Sequence, residues 1–157
     1  SVDIAAPGGR TLRVTGTPAR HGPEGGDRGP VTGFVLAFTD NPCDAVYVSG
    51  DTVWYEGVVD VSERFLVKLA VLFLGAAKVA AAGPSHLTMT AEEGVLAAQL
   101  FENATIVPVH FEGWEHFTEG RAEIEAAFAE AGISERLVWP EPGVPTAVAL
   151  ALPPPPG

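Results

Sequence analysis

The run Val46-Tyr47-Val48-Ser49-Gly50-Asp51-Thr52 constrains the fold more than any other stretch of this chain. Alternating β-formers that stop at Ser-Gly describe a buried strand closed by a tight turn, which delivers the Asp51 carboxylate to the strand's C-terminal edge. Mixed α/β architectures bind their ligands at that edge. An aspartate in this place can equally cap the next turn. Which role it plays depends on the side chains that reach the same edge.

Other segments read as partners of that strand. Residues 10–16 alternate, with Leu12 and Val14 opposite Arg13 and Thr15, as a half-buried strand does, and His21 follows directly. Residues 17–30 hold three prolines, Gly-Gly and mixed charge, a loop composition. Residues 31–39 form a second strand, and Asn41-Pro42 turns it back toward 45–49 as an antiparallel pair. A helix is expected over 60–67, with Asp60 and Glu63 as a capping-box-like start. The continuously apolar 69–74 reads as a strand covered on both faces. Thr90 and Glu93 open a second helix that runs to about residue 101 and faces Val95, Leu96 and Leu100 inward. Residues 104–109 form another buried strand that stops at His110. A third helix covers 120–131 with Gly132 as its cap, and a short strand covers 137–139. Strand and helix alternate through the second half, so the class is α/β or α+β with a mixed sheet. One domain is expected over 1–150, with a proline-rich tail at 151–157 that cannot enter a sheet interior.

With 46% hydrophobic and 18% charged residues, the 157-residue chain has the material for a core. Twenty acidic against nine basic residues give a net charge of −11, which disfavours nucleic acid and anionic membrane surfaces as partners. The apolar stretch at 69–77 is too short to span a bilayer. The single cysteine, Cys43, cannot form an internal disulfide, as suits a reducing, cytoplasmic setting. Ser49 lacks a nucleophile-elbow context and Cys43 has no histidine nearby in sequence, so covalent catalysis finds no support.

There are four histidines: His21, His86, His110 and His116. His21 and His110 both follow strands, as Asp51 does, so three strand ends can present imidazole, carboxylate and imidazole to one sheet edge. That is a donor set for a borderline cation such as zinc. A carboxylate suits the middle position because it can bridge two metals, and a bound cation acidifies water enough to supply a nucleophile near neutral pH.

Four stretches in order carry a family resemblance. They are Thr17-Pro18-Ala19-Arg20-His21-Gly22-Pro23, Gly33-Phe34-Val35-Leu36, Tyr47-Val48-Ser49-Gly50-Asp51-Thr52 and Ile106-Val107-Pro108-Val109-His110-Phe111. Together they resemble the motifs of the second half of a metallo-β-lactamase-fold hydrolase. The segment Ser85-His86-Leu87-Thr88-Met89-Thr90-Ala91-Glu92-Glu93 resembles the His-Phe-Thr-Met loop of the branch allied to ascorbate-phosphate lactonases. The resemblance implies His21 as a ligand of a first metal, Asp51 as the bridging carboxylate and His110 as a ligand of a second. It implies two divalent ions, zinc or alternatively manganese. His86 resembles a substrate-side or proton-handling residue, and Trp54, Tyr55 and Trp114, just after metal-bearing turns, are expected to line the substrate pocket.

One departure outweighs the matches. The family signature His-x-His-x-Asp-His is absent: no two histidines are two apart and no Asp-His pair exists. In the resembled fold, a four-layer αββα sandwich, that motif lies in the first half and supplies most of the metal ligands. The expectation is therefore a C-terminal half whose inner sheet face needs the N-terminal half, or a second subunit, to cover it. An exposed apolar sheet face is otherwise a liability. The expected activity is hydrolysis of an ester, lactone or phosphoester in a small molecule, with the lone half inactive. The alternatives are a metal-free binding module of the same fold and, least favoured by the charge, a nuclease.

Overall fold

The structure is a computed structural model that describes residues 1–25 and 28–150. The expected proline-rich tail lies outside the described residues. Among those described, one six-stranded sheet runs in sequence order, formed by β1 (Val2–Ala5), β2 (Thr11–Pro18), β3 (Thr32–Phe38), β4 (Asn41–Val48), β5 (Val67–Phe73) and β6 (Thr105–Val109). The first four pair antiparallel, and β4, β5 and β6 pair parallel. Parallel neighbours need crossovers. These are supplied by α1 (Glu56–Arg64) between β4 and β5 and α2 (Ala91–Leu100) between β5 and β6, while α3 (Arg121–Glu130) follows the last strand. The fold class is thus the expected α+β with a mixed sheet.

The strand period of two divides the sheet into unlike faces. Val35, Ala45, Tyr47, Ala70, Leu72 and Ile106 point to one face and join Val58 and Val61 of α1, Val95 and Ala98 of α2, and Ile124 and Phe128 of α3 in one buried core. Among the described residues no helix covers the opposite face. Across it the register aligns Val2, Val14, Leu36, Val46 and Leu69 in one row, and Phe34, Val48, Val71 and Val107 in the next. Most of these side chains are only half-buried, and Val2, Ile4 and Phe34 are exposed.

Several elements differ from the sequence reading. The chain reverses at Thr39-Asp40, because Phe38 pairs with Asn41 and both Asp40 carboxylate oxygens accept from Arg10, at 2.7 and 3.0 Å. Pro42 sits in β4 itself, near its exposed start. Helix α1 begins four residues before the expected Asp60, so Asp60 and Glu63 lie inside it and form no cap. Burial of Val58 and Val61 outweighs the capping signal, and Val67 leaves the helix to pair with Ala45. Leu96, expected inward, is 43% exposed, since Gly94, Ala97 and Ala98 let α2 approach the sheet closely on its other side. The expected strand at 137–139 is a single bridge from Leu137 to Ile106. Strand β1 was not foreseen, because four residues before Pro7-Gly8-Gly9 show too little periodicity. The capping box at Thr90 and Glu93 forms as read.

Three wholly buried hydroxyls tie the segments that follow β4 and β5. Ser49 Oγ accepts from the Phe73 N–H and donates to Gly50 O, both at 2.9 Å. Thr52 Oγ1 accepts from the Arg20 N–H at 3.0 Å and donates to Val53 O. Thr88 Oγ1 accepts from the Ala77 N–H at 3.0 Å and donates to Leu74 O at 2.9 Å. Thr88→Val keeps the shape and orphans both backbone groups, so it should cost about 1–3 kcal/mol in chemical denaturation. Thr88→Ser, which keeps the hydroxyl, should cost less, and equal losses in the two variants would show that the bonds are not what matters.

Candidate metal and proton-transfer site

The turn after β4 starts with Gly50, whose φ of +62° suits glycine, and a Cβ there would lie 2.9 Å from Thr32 O. This turn lifts Asp51 to the sheet edge. The His21 loop is tied to it by two bonds, from the Arg20 N–H to Thr52 Oγ1 and from the Val53 N–H to Arg20 O at 2.9 Å. His110, the first residue past β6, is held at φ +59°. Its loop folds over Gly75, where a Cβ would meet His110 O at 2.6 Å, so the end of β5 admits this packing only as glycine. Local sequence therefore places three polar side chains at one edge through glycine turns and hydroxyl clamps.

The structure brings His21, Asp51 and His110 together. His21 Nε2 lies 3.8 Å from Asp51 Oδ2 and His110 Nε2 lies 3.7 Å from Oδ1, so the imidazoles face different oxygens of one carboxylate. Neither distance is a hydrogen bond. Two ligand atoms each ~2.1 Å from one cation stand about 3.4–3.7 Å apart, so the spacings are close to those of donors sharing an ion. The donor chemistry, imidazole and carboxylate, fits a divalent borderline cation. Among the described residues, however, no group of three or more His, Cys, Asp or Glu side chains forms a metal cage. The set is an open one that needs further donors. His110 is wedged against Phe73 and Phe117, and its Nδ1 is buried with no partner among the described residues.

His86 lies on the loop that Thr88 pins to β5. Its Nε2 is 3.0 and 3.1 Å from the two oxygens of Glu93. Glu93 Oε2 also accepts from the Thr90 N–H at 3.1 Å, completing the α2 cap, and lies 3.5 Å from the Trp54 N–H. The hydrogen bond to the Glu93 carboxylate raises the His86 pKa above its ordinary value, and partial burial opposes this. Trp54 and His86 line a common cleft of about 220 Å³, and Trp54 and Tyr55 line a second of about 330 Å³. Trp114 is 69% exposed, with its ring 5.9 Å from that of His116. Sequence reading missed Glu93 as the partner of His86, although its position one turn into α2 after the His86 loop was a usable signal. It also passed over Arg20, whose guanidinium carbon lies 4.5 Å from the centre of the Tyr55 ring.

The sign of the His86 shift sets a pH dependence. Because the folded-state pKa is raised, the ion pair stabilises the fold fully below the ordinary value of 6.5, and the gain is lost as pH rises through the raised value. Glu93→Gln keeps a cap acceptor and removes the charge. It should lower the His86 pKa in an NMR titration and should destabilise more at about pH 6 than at about pH 9; an unmoved titration would refute the coupling.

The beta-lactamase superfamily domain matches residues 2–111. A UPF0173 metal-dependent hydrolase of Natranaerobius thermophilus is 32% identical over 131 residues, which is 83% of this chain and 53% of that protein. Isothiocyanate hydrolase from Delia radicum gut bacteria superposes with a TM-score of 0.75 at 25% identity, over 94% of this chain and 57% of that one. A metallo hydrolase of the hyperthermophilic archaeon Ignicoccus hospitalis does so with a TM-score of 0.63 at 26% identity, over 85% and 51%. The chain spans about half the length of the relatives it matches.

Proposed function

Since the chain belongs to the beta-lactamase superfamily domain family, we propose that it forms part of a metal-dependent hydrolase acting on an ester, lactone or phosphoester. The observation that carries this reading is the approach of His21 and His110 to opposite oxygens of Asp51 at a single sheet edge. In this reading Asp51 would be the carboxylate shared by two divalent ions, zinc or alternatively manganese, with His21 holding one and His110 the other. Bound there, the ions would supply Lewis acidity toward the scissile carbonyl or phosphoryl group and toward water. His86, oriented by Glu93, exchanges a proton with the substrate across the cleft it shares with Trp54. Tyr55 and Trp54 give that region aromatic walls, and Trp114 is assigned to the pocket's outer rim.

The remaining donors come, in this proposal, from an N-terminal half of the fold that packs on the bare sheet face; a second copy of the chain is the alternative cover. The bare face is made of aliphatic and aromatic rows, as an inner layer of a sandwich requires, and the metal cage is incomplete without further ligands. Among the described residues no helix is long and apolar enough to cross a membrane. The small-molecule substrate is further supported by the acidity of the chain, which opposes polyanionic partners.

Elemental analysis on the longest natural form and on the 157-residue chain in parallel tests this reading. About two metals on the former and few on the latter are expected, with Asp51→Ala lowering both metal content and hydrolysis by about a hundredfold. No metal on either form after zinc or manganese is supplied would leave the metal-free binding module as the reading. The isolated chain should also bind a hydrophobic dye or self-associate through its bare face. A monomeric chain that takes up no dye would argue against the missing layer.

A further inference from the structure

Arg20 is the cation that the hydrolase reading leaves unused. It immediately precedes His21, and its backbone is clamped on both sides to the Asp51 turn through Thr52 and Val53. The fold thus fixes its place relative to Asp51 more tightly than an ordinary surface arginine. Its guanidinium lies over the Tyr55 ring, and its Nε is buried with no acceptor among the described residues. No carboxylate among the described residues forms an ion pair with it, although Glu24 and Glu56 line the cleft on its Tyr55 side. A buried guanidinium nitrogen without an acceptor is costly, and the stacking holds the fork in one plane, which an arginine uses for bidentate recognition and a lysine cannot match.

Arg20 also lines the 220 Å³ cleft with Trp54, Ser85, His86 and Glu93. The one carboxylate among the described residues of that cleft, Glu93, is already engaged by His86, the Thr90 N–H and the Trp54 N–H. The cleft therefore offers a guanidinium that no carboxylate among the described residues pairs with, a hydroxyl and an indole beside the edge that carries Asp51. From this geometry we infer that Arg20 is a specificity residue that binds a carboxylate on the substrate, with the substrate's apolar part against Trp54. The inference rests on the hydrolase reading only in calling the ligand a substrate. It selects acid-bearing small molecules from the broader ester and lactone class.

The test is benzoate binding to the longest natural form of the protein, followed by tryptophan fluorescence with and without a chelator. Benzamide serves as the uncharged isostere. Benzoate should bind at least tenfold more tightly than benzamide in both metal states. Arg20→Gln should abolish that preference, and Arg20→Lys should retain only part of it. Equal binding of the two probes by the wild type, an unchanged preference in Arg20→Gln, or loss of benzoate binding on chelation would overturn the proposal, the last by placing the anion on the metal. If Arg20→Gln does not fold by circular dichroism, the wild-type comparison and Arg20→Lys decide. None of these readouts requires turnover, so failure to hydrolyse esters, lactones or phosphoesters would count against the hydrolase reading alone.

Discussion

The arrangement of this protein depends on how a parallel sheet ends. At the C-terminal tips of β4 and β5 the ladder stops while the backbone remains buried, and each N–H and C=O left there must find a partner. Ser49, Thr52 and Thr88 supply these partners from inside the fold, each donating to one backbone carbonyl and accepting from one backbone N–H. A hydroxyl can do both at once. Because each hydroxyl links two different segments, the same bonds that satisfy the strand ends also fix the loops bearing Arg20, His21, Asp51 and His86. Stability and site geometry thus share one set of contacts.

The second constraint is the asymmetry of the sheet. Three helices complete a core on one face, and the aligned rows on the other remain without a covering layer among the described residues. The imbalance parallels that of the candidate metal site, where two imidazoles meet one carboxylate without closing a cage. Under the proposed reading, one further layer on the bare face would answer both. A helix-lined groove of about 670 Å³ between α2 and α3, rimmed by glutamates, lies on the covered side and takes no part in this arrangement.

Much of the fold was legible because local and long-range preferences agree. The continuous apolar run of β5 has no stable place except between two other strands. The Thr90 and Glu93 cap is a local hydrogen-bond exchange that sequence spacing alone announces. Where the two disagreed, tertiary packing prevailed. Asp60 and Glu63 have the spacing of a cap, yet the helix extends past them because Val58 and Val61 gain a core by it. The hairpin turn moved to Thr39-Asp40, where an arginine distant in sequence holds the aspartate.

The residue types at the site were set by sequence: a histidine or aspartate shortly after β2, β4 and β6 is visible in one dimension, and strand polarity then determines the edge they reach. What sequence could not express is which of them face each other. The approach of His21 and His110 to one carboxylate and the stacking of Arg20 on Tyr55 join residues from separate segments. Such contacts depend on turn geometry, on glycines at positive φ and on buried hydroxyls. Local propensity carries no record of which distant segment a loop will meet, so only the folded sheet decides it.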